Sequence, residues 1–565
     1  MVDLIRKIDK SLSSKKARII GDFTSLLIFF VIIIIPILYI FTYVIQEWND
    51  VSFWIFNNPV SGSTRFVDMG TALLRSLMIS AITVIIDILI GLPMAIILVK
   101  YDFKGKRILD TLVDLPMAVP TAALGFSILL FWGSSSGIAW IFGLDRGLIS
   151  PGVIMIILTH VVFTYPYITR NIKVILMNQD ETLEKAAQSL GARKFTVFRT
   201  ITAPLIKEGL IAGAILAFTR SLGETGATLI VYGVAETAPI QIVTLKSQAL
   251  FGPAAFLAMI LVIIAIILLI LIKTITRKIG LPVYRVFVRT EKFLSKKVFR
   301  WLRDGFTIFF FGFLILIPAL YSIDYLFLNL SGPNGAINQV FFQSDNKWAS
   351  LWISLMNSLS IAAVATLINI VLGLAMAIIV VRRKWGKFNA ILDTLIDLPL
   401  AIPSSALGFS IFLFWGTIGP FRSIGGLLTP GYLLIIIVHI VFTFPYMTRV
   451  LIASLEGIVS GYEEASRTLG AYSFTTFRKV TIPLLRNALL AGSIMVFTRS
   501  LGETGATFVV MGLVRTIPVT IVDWVESIDL PSAAFASFIL IVLSFVLILM
   551  LRHITTREKI LKIKT

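Results

Sequence analysis

The sequence predicts an all-α polytopic membrane protein made of two tandem six-helix halves, with about twelve membrane helices. Three observations support this prediction: an apolar composition, apolar runs of spanning length and an internal repeat. Of the 565 residues, 57% are hydrophobic and 14% charged, with a mean hydropathy of +0.92, against about 45–50% apolar residues in average soluble proteins. This balance excludes a soluble enzyme, a nucleic-acid-binding domain and a disordered protein, because a soluble surface needs more charge.

The first apolar run is a membrane helix rather than a signal peptide. It covers residues 23–45 and follows a basic segment. A signal-peptide core is roughly 7–15 residues long and ends at a small-residue cleavage site, and this run is longer and lacks such a site. Its length is sufficient to span a bilayer.

Eleven further runs of similar length follow. They are continuously apolar rather than alternating, which excludes a membrane β-barrel. The twelve predicted spans are 23–45, 72–99, 108–131, 152–176, 204–232, 252–273, 305–329, 355–381, 389–415, 430–452, 484–511 and 533–551.

The charge distribution predicts the orientation. The formal net charge is +19, and the basic residues concentrate in alternate loops, at 100–107, 170–199, 273–303 and 552–564. Because loops rich in Lys and Arg stay on the cytoplasmic side, both termini are predicted to be cytoplasmic. An even number of spans agrees with that.

An internal repeat divides the chain. Residues 218–228 recur letter for letter at 497–507, and the segments 109–120 and 162–170 match 392–403 and 441–449. We therefore predict an N-terminal half at 1–277, a basic cytoplasmic linker at 278–303 and a C-terminal half at 304–565. Each half begins and ends inside, so the pseudo-twofold axis lies along the membrane normal. A shared pathway at the interface between the halves predicts a transporter.

The sequence contains no nucleotide or metal motif. It has no cysteine, no Gly-x-x-x-x-Gly-Lys-Ser/Thr loop and no His/Asp/Glu cluster with metal-ligand spacing. We therefore expect no cofactor and no metal on this chain. His160 and His439 are repeat partners in the fourth helix of each half, and they are either polar packing residues or part of the pathway.

A loop at 181–204 and its repeat at 460–483 predict a short helix followed by a membrane helix. Glu and Ala favour a helix, Gly stops it, and Pro opens the next helix where no donor is needed. Such a helix is either a docking site for a partner or an amphipathic loop on the membrane surface. The residues concerned are Glu184, Lys185, Ala186, Ala187 and Gly191, and Glu463, Glu464, Ala465, Ser466 and Gly470.

The third helix of each half contains two prolines four residues apart, which bend or break a membrane helix. The bend is either a gate hinge or a fixed kink whose neighbouring aspartates face water. The prolines are Pro116, Pro120, Pro399 and Pro403, and the aspartates are Asp110, Asp114, Asp393 and Asp397.

The fifth helix of each half contains charged residues that are costly inside a bilayer, at about 2.5–3.5 kcal/mol each. We expect the Arg and Glu to pair on one face of the helix, and the adjacent glycines to allow close helix approach. The pair either fixes packing or lines the pathway, where a guanidinium can hold a tetrahedral oxyanion. The candidate pathway residues are Arg220, Glu224, Thr225 and Thr228, and Arg499, Glu503, Thr504 and Thr507.

The loop pattern resembles the EAA loop of permease subunits of ATP-binding-cassette importers, which reads Glu-Ala-Ala, three residues, Gly, nine residues, Ile-x-Leu-Pro. Its spacing is kept in both halves. The family's Glu falls on Lys185 in the first copy, beside Glu184, and on Glu464 in the second; its second Ala falls on Ser466. In that family the loop forms a coupling helix that sits in a cleft of the ATPase subunit.

The resemblance implies the type I importer permease fold in a prokaryotic inner membrane. It implies two cytoplasmic ATPase subunits, docking at about 181–196 and 460–475, and an extracytoplasmic solute-binding protein. ATP and Mg would bind to the ATPase subunits, so this chain would not itself be an enzyme.

The resemblance also suggests a substrate. Ser-Leu-Gly-Glu-Thr-Gly-Ala-Thr is similar to the fifth-helix sequence of molybdate, tungstate and sulfate permeases, and residues 515–518 resemble a later stretch of molybdate permeases. A tetrahedral oxyanion is therefore the predicted solute. Fusion of two halves is more typical of iron(III) and thiamine relatives, which leaves these or another small solute as alternatives.

Two other classes of membrane protein remain as alternatives. An ion-coupled secondary transporter would use intramembrane Asp, Glu or His for protons, but it has no need of paired docking helices. A structural or signalling protein does not explain the duplicated polar fifth helix.

Overall fold

A computed structural model describes residues 9–11, 13–60, 62–275, 288–343, 345–383, 385–459 and 461–564. Part of the predicted linker, residue 460 and the side chains of the basic tail lie outside this description. All regular structure in the described residues is helical. The first half contains α1 Lys15–Gln46, α2 Gly62–Lys100, α3 Lys106–Ala118, α4 Thr121–Gly133, α5 Val153–Asn178, α6 Glu181–Ser189, α7 Ala203–Leu222, α8 Gly226–Val231, α9 Ala238–Ser247 and α10 Phe251–Ile275.

The second half repeats this order after a short helix, α11 Val288–Leu294. It contains α12 Lys297–Leu328, α13 Lys347–Arg382, α14 Lys387–Ala401, α15 Ser404–Trp415, α16 Tyr432–Gly457, α17 Gly461–Thr468, α18 Ile482–Leu501, α19 Gly505–Val510, α20 Ile517–Glu526 and α21 Leu530–Lys564. Short helical segments lie at Trp48–Ser52, Phe53–Asn57, Ile138–Ile141, Lys194–Val197, Phe198–Thr202, Asn338–Phe342, Arg422–Ile424, Ser473–Thr476 and Phe477–Thr481.

The number of spans agrees with the sequence prediction. Eleven helices in the described residues are long and apolar enough to cross a membrane, and there are twelve if the pair α14 and α15, bent by 107°, is one span. The all-α fold with two tandem six-span halves is confirmed.

The third span of each half is broken, as the proline pairs predict. The breaks fall at Pro120 and Pro403, whereas Pro116 and Pro399 remain inside α3 and α14. The residue before each breaking proline is extended, with ψ 130° at Val119 and 135° at Ile402, because the proline ring disfavours the helical conformation there.

The fifth span is also broken, contrary to the expected continuous helix. In the first half the helix ends at Leu222 and resumes at Gly226. In the second half it ends at Leu501 and resumes at Gly505. Two glycines within four residues weaken the helix by about 1 kcal/mol each. The predicted arrangement of Arg and Glu on one continuous helix face is therefore wrong: Glu224 and Glu503 lie in the breaks.

The two halves exchange their outer spans. The first span, α1, packs on α13, α15 and α16 of the second half, and α12 packs on α2, α4 and α5 of the first half. Phe29 contacts Phe444 with 5.4 Å between ring centroids, and Phe311 contacts Tyr165 at 5.5 Å. Each hydrophobic core thus combines spans 2–5 of one half with spans 1 and 6 of the other.

Candidate functional site

The predicted short helices are α6 and α17, which we call the coupling helices. Asp180 caps α6, because its carboxylate accepts a hydrogen bond from the Thr182 backbone N–H at 2.9 Å. This hydrogen bond lowers the pKa of the Asp180 carboxyl below its ordinary value. Each helix is followed by a glycine in the left-handed region, Gly191 at φ +86° and Gly470 at φ +87°, where glycine alone avoids a steric cost.

A glutamate fastens each coupling helix to the second span of its own half. In the first half, Glu184 pairs with Lys100 of α2 at 3.1 Å and accepts a hydrogen bond from Thr202 at 2.7 Å. In the second half, Glu463 pairs with Arg382 of α13 at 3.4 Å. Thr481 completes that site with a hydrogen bond of 3.0 Å. Each coupling helix is therefore linked directly to a membrane helix of its own half.

The other residues of the motif face outward or fix the loop. Lys185 forms an exposed pair with Glu181 at 3.2 Å, whereas the exposed Glu464 has no ion-pair partner among the described residues. Ser466 hydrogen-bonds to Thr476 at 3.1 Å. Ala186 and Ala465 are exposed, and Ala187 is half-buried.

An arm contacts each coupling region, a feature that the sequence analysis missed: the linker helix α11 contacts the first, and the N-terminal segment around Asp9 contacts the second. On the first half, Glu291 of α11 pairs with Arg199 at 2.8 Å and accepts a hydrogen bond from Thr196 at 2.7 Å. On the second half, Asp9 accepts a hydrogen bond from Thr475 at 2.8 Å. The spacing Asp9-x-x-x-Ser13, repeated as Glu291-x-x-x-Ser295, is the sequence signal for these arms.

Two serines complete the same contacts. Ser295 accepts a hydrogen bond from the Phe195 N–H at 3.2 Å, and Ser13 accepts one from the Phe474 N–H at 2.9 Å. The first coupling region is therefore tied to the linker, and the second is tied to the N-terminal segment of the first half.

The aspartates of the third span form ion pairs rather than simply facing water. Arg170 of α5 binds Asp110 at 2.6 Å and Asp114 at 2.5 Å. Lys173 adds a pair with Asp110 at 2.5 Å. In the second half Arg449 binds Asp393 and Asp397, each at 2.5 Å. These pairs fix the third span to the fourth on one side of the proline break.

The charges of the fifth span lie at the interface between the halves. In the first half the predicted pair forms: Arg220 Nη2 lies 2.5 Å from Glu224 Oε2. Glu224 is 3% exposed, and its other oxygen accepts a hydrogen bond from the Ala227 N–H at 3.0 Å. The Arg220 guanidinium also lies over the Phe163 ring, 5.2 Å from its centroid.

The second half differs, although its fifth-span letters are identical. Glu503 accepts a hydrogen bond from Ala506 at 2.9 Å, but in the described structure Arg499 and Glu503 form no ion pair. Arg499 instead donates to the Tyr446 hydroxyl at 3.0 and 3.2 Å and to Tyr167 of the other half at 3.3 Å.

The fourth and fifth spans are joined by a histidine in each half. The ring of His160 lies 2.8 Å from the Ser221 hydroxyl and 2.9 Å from that of Thr228, which also hydrogen-bonds to the Glu224 carbonyl at 3.1 Å. A neutral ring with its proton on Nε2 satisfies all three contacts. The second half repeats the arrangement with His439, Ser500, Thr507 and Glu503. These contacts support the packing interpretation of the histidines.

The two breaks of the fifth spans cross at the centre of the molecule. A Cβ at Gly226 would come within 2.6 Å of Thr504, and a Cβ at Gly505 within 2.5 Å of Thr225. Real Cβ contacts are longer than this, so the crossing requires both glycines. The buried Thr225 and Thr504 thus pack across the interface.

The proline break of one half meets the glycine break of the other. Gly223 contacts Pro403, where a Cβ would lie at 2.9 Å, and Gly502 contacts Pro120 at 3.2 Å. The Gly223 carbonyl accepts a hydrogen bond from the Ser404 N–H at 3.3 Å. The predicted hinge and pathway residues are therefore neighbours, across the interface rather than within a half.

A cavity of about 20 Å³ remains at this crossing. Its lining includes Pro120, Arg220, Arg499 and Glu503. This is room for roughly one water molecule, so the crossing is closed to a solute in this conformation.

Comparison with known sequences identifies the architecture. The sequence profile of the family "Binding-protein-dependent transport system inner membrane component" matches the chain twice, at residues 87–281 and 369–560. The two matches cover more than half of the chain, one in each half.

Individual relatives each correspond to part of the chain. The molybdenum transport system permease protein ModB of Escherichia coli (strain K12) is 37% identical over 163 residues, or 28% of this chain and 69% of that protein. The probable sulfate transport system permease protein cysT of Chlorokybus atmophyticus is 31% identical over 36% of this chain and 68% of its own length. The molybdate/tungstate transport system permease protein WtpB of Methanocaldococcus jannaschii is 33% identical over 30% of this chain and 66% of its own length.

Proposed function

This chain belongs to the family of binding-protein-dependent transport system inner membrane components, with two family domains fused in one multi-pass membrane protein, and we propose that it is a permease subunit of an ATP-binding-cassette importer for a tetrahedral oxyanion. In this proposal the chain forms the solute pathway and has no catalytic role. ATP and Mg bind to two separate cytoplasmic ATPase subunits. A solute-binding protein delivers the oxyanion from outside, and both termini are cytoplasmic.

The observation that carries this proposal is the pair of coupling helices. They are nine and eight residues long, each is followed by a left-handed glycine, and each is fastened to a second span by a glutamate, half-buried in the first half and buried in the second. Two matched helices fit two copies of an ATPase. Residues 181–196 and 460–475 would form the two docking sites, with Lys185 and Glu464 exposed to the partners.

The route from the docking sites to the pathway follows the contacts of the described residues. When ATP brings the ATPase subunits together, the coupling helices move, and Glu184 and Glu463 draw α2 and α13 with them. Both helices pack on the fourth and fifth spans of their own half. The fifth spans meet at the central crossing, which would open as the halves rotate. Pro120 and Pro403 would act as hinges, because each breaks a span that contacts the opposite half.

The substrate assignment rests on the relatives' names and on the charge at the crossing. The named relatives transport molybdenum, sulfate or molybdate/tungstate. Arg220 and Arg499 both line the small central cavity, and planar guanidinium groups bind oxyanions well. The closed cavity would have to widen before an oxyanion could pass.

Transport in proteoliposomes tests the proposal. The full chain would be reconstituted with its ATPase subunits and binding protein, and uptake of labelled molybdate, tungstate and sulfate measured with ATP inside the vesicles. We expect ATP-dependent uptake of at least one oxyanion and none without ATP. Uptake driven by a membrane potential alone would instead support a secondary transporter. ATP-dependent uptake of iron(III) or thiamine alone would overturn only the substrate assignment.

A second experiment tests the coupling helices. Glu184→Gln with Glu463→Gln should leave the chain inserted but lower binding-protein-stimulated ATPase activity about tenfold, since the links to α2 and α13 weaken. Glu208→Gln is the matched control, because this glutamate of α7 is exposed and lies outside both docking segments. Equal activity in both variants would contradict the proposed route.

A further inference from the structure

Asp87 is a carboxyl group in the middle of α2 that the proposed transport route does not use. It is completely buried. One oxygen, Oδ2, lies 2.5 Å from the Thr164 hydroxyl of α5, and the other, Oδ1, has no hydrogen-bond partner among the described residues. A buried carboxylate without a cation is strongly disfavoured in a membrane helix.

The hydrogen bonds of Thr164 determine where the proton lies. Its Oγ1 is 2.7 Å from the carbonyl oxygen of His160 as well as 2.5 Å from Asp87. A hydroxyl has one hydrogen, and a carbonyl oxygen can only accept. If Thr164 donates to His160, the hydrogen in the contact between Thr164 and Asp87 must come from the carboxyl group.

The second half provides an internal comparison. Asn369 of α13 occupies the position equivalent to Asp87, and its amide nitrogen donates to Thr443 Oγ1 at 2.8 Å. Thr443 in turn donates to the His439 carbonyl at 2.6 Å. The Asn369 amide donates a second hydrogen bond to the Ile440 carbonyl at 3.1 Å, which Asp87 lacks. The path from the second span through the threonine to the histidine carbonyl has the same donor order in both halves when Asp87 is a neutral acid.

We propose that Asp87 is a proton-binding site of the first half, occupied in this closed conformation, with the carboxylic acid hydrogen donated to Thr164. When the proton leaves, the acid becomes a carboxylate, and the proton passes to water. The ligand is a proton, and the site exists in one half only.

The surroundings of Asp87 differ from those of Asn369 in a way that suits an ionisable group. Thr83 lies one turn and Ser80 two turns before Asp87 on α2; both are fully buried, and their hydroxyls have no hydrogen-bond partner in the described structure. The equivalent residues on α13 are Ala362 and Ala365. The Thr83 hydroxyl, one turn away on the same face of α2, is the nearer free donor for a carboxylate after the proton leaves, whereas an asparagine never ionises and needs no such donor.

Other ionisable groups near α2 do not neutralise Asp87. On α5, the buried Tyr165, which is Phe444 in the second half, is within electrostatic range of the carboxyl. Helices α3, α7, α9 and α12 also pack on α2. In the described part of the chain none of the charged side chains of α5 or of these four helices forms an ion pair with Asp87; they are Lys106, Arg107, Asp110, Asp114, Arg170, Lys173, Lys207, Glu208, Arg220, Lys246, Lys297, Arg300, Arg303, Asp304 and Asp324.

Proton binding at this site makes the packing of α2 on α5 depend on pH. The folded chain holds a proton that the unfolded chain releases above about pH 4, the usual range of an aspartate. The folded state therefore binds more protons, and its stability falls as the pH rises. Separation of α2 from α5 would release the proton.

Infrared spectroscopy of the purified full chain in lipid nanodiscs tests the protonation directly. At pH 7 we expect the carbonyl band of a neutral carboxylic acid, shifted in deuterium oxide and absent from Asp87→Asn. This variant should fold normally, because the second half already carries asparagine at the equivalent position. An unchanged neutral-acid region in the variant would overturn the proposal.

Equilibrium unfolding in mixed detergent micelles provides the second measurement. Between pH 5 and pH 8 the unfolding equilibrium constant of the wild type should rise by up to about tenfold per pH unit more than that of Asp87→Asn. Asn369→Asp, placed among Ala362, Ala365 and Phe444, is the contrasting variant and should acquire a new pH dependence. Parallel pH profiles for the wild type and Asp87→Asn would contradict the proposal. Neither measurement depends on transport, so both remain valid if the proposed function is wrong.

Discussion

The fifth spans of the two halves share eleven identical residues, yet their arginines have different partners. Arg220 pairs with Glu224 in its own half. Arg499 contacts two tyrosines, Tyr446 of its own half and Tyr167 of the other. Identical local sequence therefore does not dictate identical side-chain contacts at the interface between the halves.

The difference has a physical cause. The two arginines line the same small cavity, and two like charges repel when they share one desolvated space. The tyrosines come from equivalent positions of the two halves, so a single arginine can occupy the place between their hydroxyls. The other arginine must turn to its own glutamate. Asymmetry is thus a consequence of a shared central position rather than of a sequence difference.

The largest expected difference between the halves is in the loss of unfolding free energy when each glutamate is replaced. Glu224→Gln leaves the half-buried Arg220 in the membrane interior without its pair, which costs about 3–5 kcal/mol of unfolding free energy. Glu503→Gln should cost far less, because Arg499 has other partners and an amide oxygen can still accept from Ala506. Folded yield and detergent unfolding of the purified variants measure this difference.

The double variant Arg220→Met with Glu224→Gln separates packing from transport. It removes both charges and should restore folded yield. If the pair only fixes packing, uptake should recover with it; if the pair lines the pathway, uptake should stay low. For the single variants, equal losses of unfolding free energy in Glu224→Gln and Glu503→Gln would contradict the expected difference between the halves.

A smaller effect is expected at the tyrosines. Tyr446→Phe removes the hydroxyl that accepts two hydrogen bonds from Arg499 but keeps the ring beneath the guanidinium. Hydrogen bonds to charged groups contribute about 1.5–3 kcal/mol, so Tyr446→Phe should lower the unfolding free energy by that amount. Tyr167→Phe, which removes one longer bond of 3.3 Å, is the matched control and should cost less. The reverse order would contradict the assigned contacts.

The coupling helices differ at their exposed position, Lys185 in the first and Glu464 in the second. Glu464→Lys should weaken ATPase docking about tenfold, or ~1.4 kcal/mol, and Lys185→Glu should have less effect or strengthen docking. Binding-protein-stimulated ATPase activity measures both.

Gly470→Val and Gly191→Val should lower this activity equally, because each glycine has a nearly identical left-handed φ and a β-branched residue is strained there by about 1–2 kcal/mol. Normal stimulated ATPase activity in both Glu464→Lys and Gly470→Val would refute the coupling assignment.

The smallest expected effect concerns the arms. Glu291 is buried and pairs with Arg199 at 2.8 Å, whereas Asp9 lies 3.9 Å from the half-exposed Arg478. Glu291→Gln should therefore loosen the first coupling region by about 1 kcal/mol, and Asp9→Asn should loosen the second by less. Hydrogen exchange at the Phe195 and Phe474 amides measures the two arms separately. A larger increase in exchange at Phe474 in Asp9→Asn than at Phe195 in Glu291→Gln would contradict this prediction.

Much of the fold could be predicted because it depends on local physical rules. Apolar run length predicts the spans, and the exact repeat predicts two halves. The breaks at Pro120 and Pro403 follow from the missing N–H and the ring of proline. The coupling helices follow from the helix-favouring Glu and Ala residues and from the stops at Gly191 and Gly470. The break at Glu224 was missed, although Gly223 and Gly226 are its sequence signal.

The tertiary structure decided the features that join distant residues. The arms place Glu291 beside Arg199 and Asp9 beside Thr475, a separation of 466 residues in the second case, and neither sequence segment indicates its partner. The proton on Asp87 follows from the position of Thr164 on a different helix. The choice of partners by Arg220 and Arg499 is decided where the halves meet, because one central position cannot accommodate two like charges, and that constraint arises only when identical sequences are folded against each other.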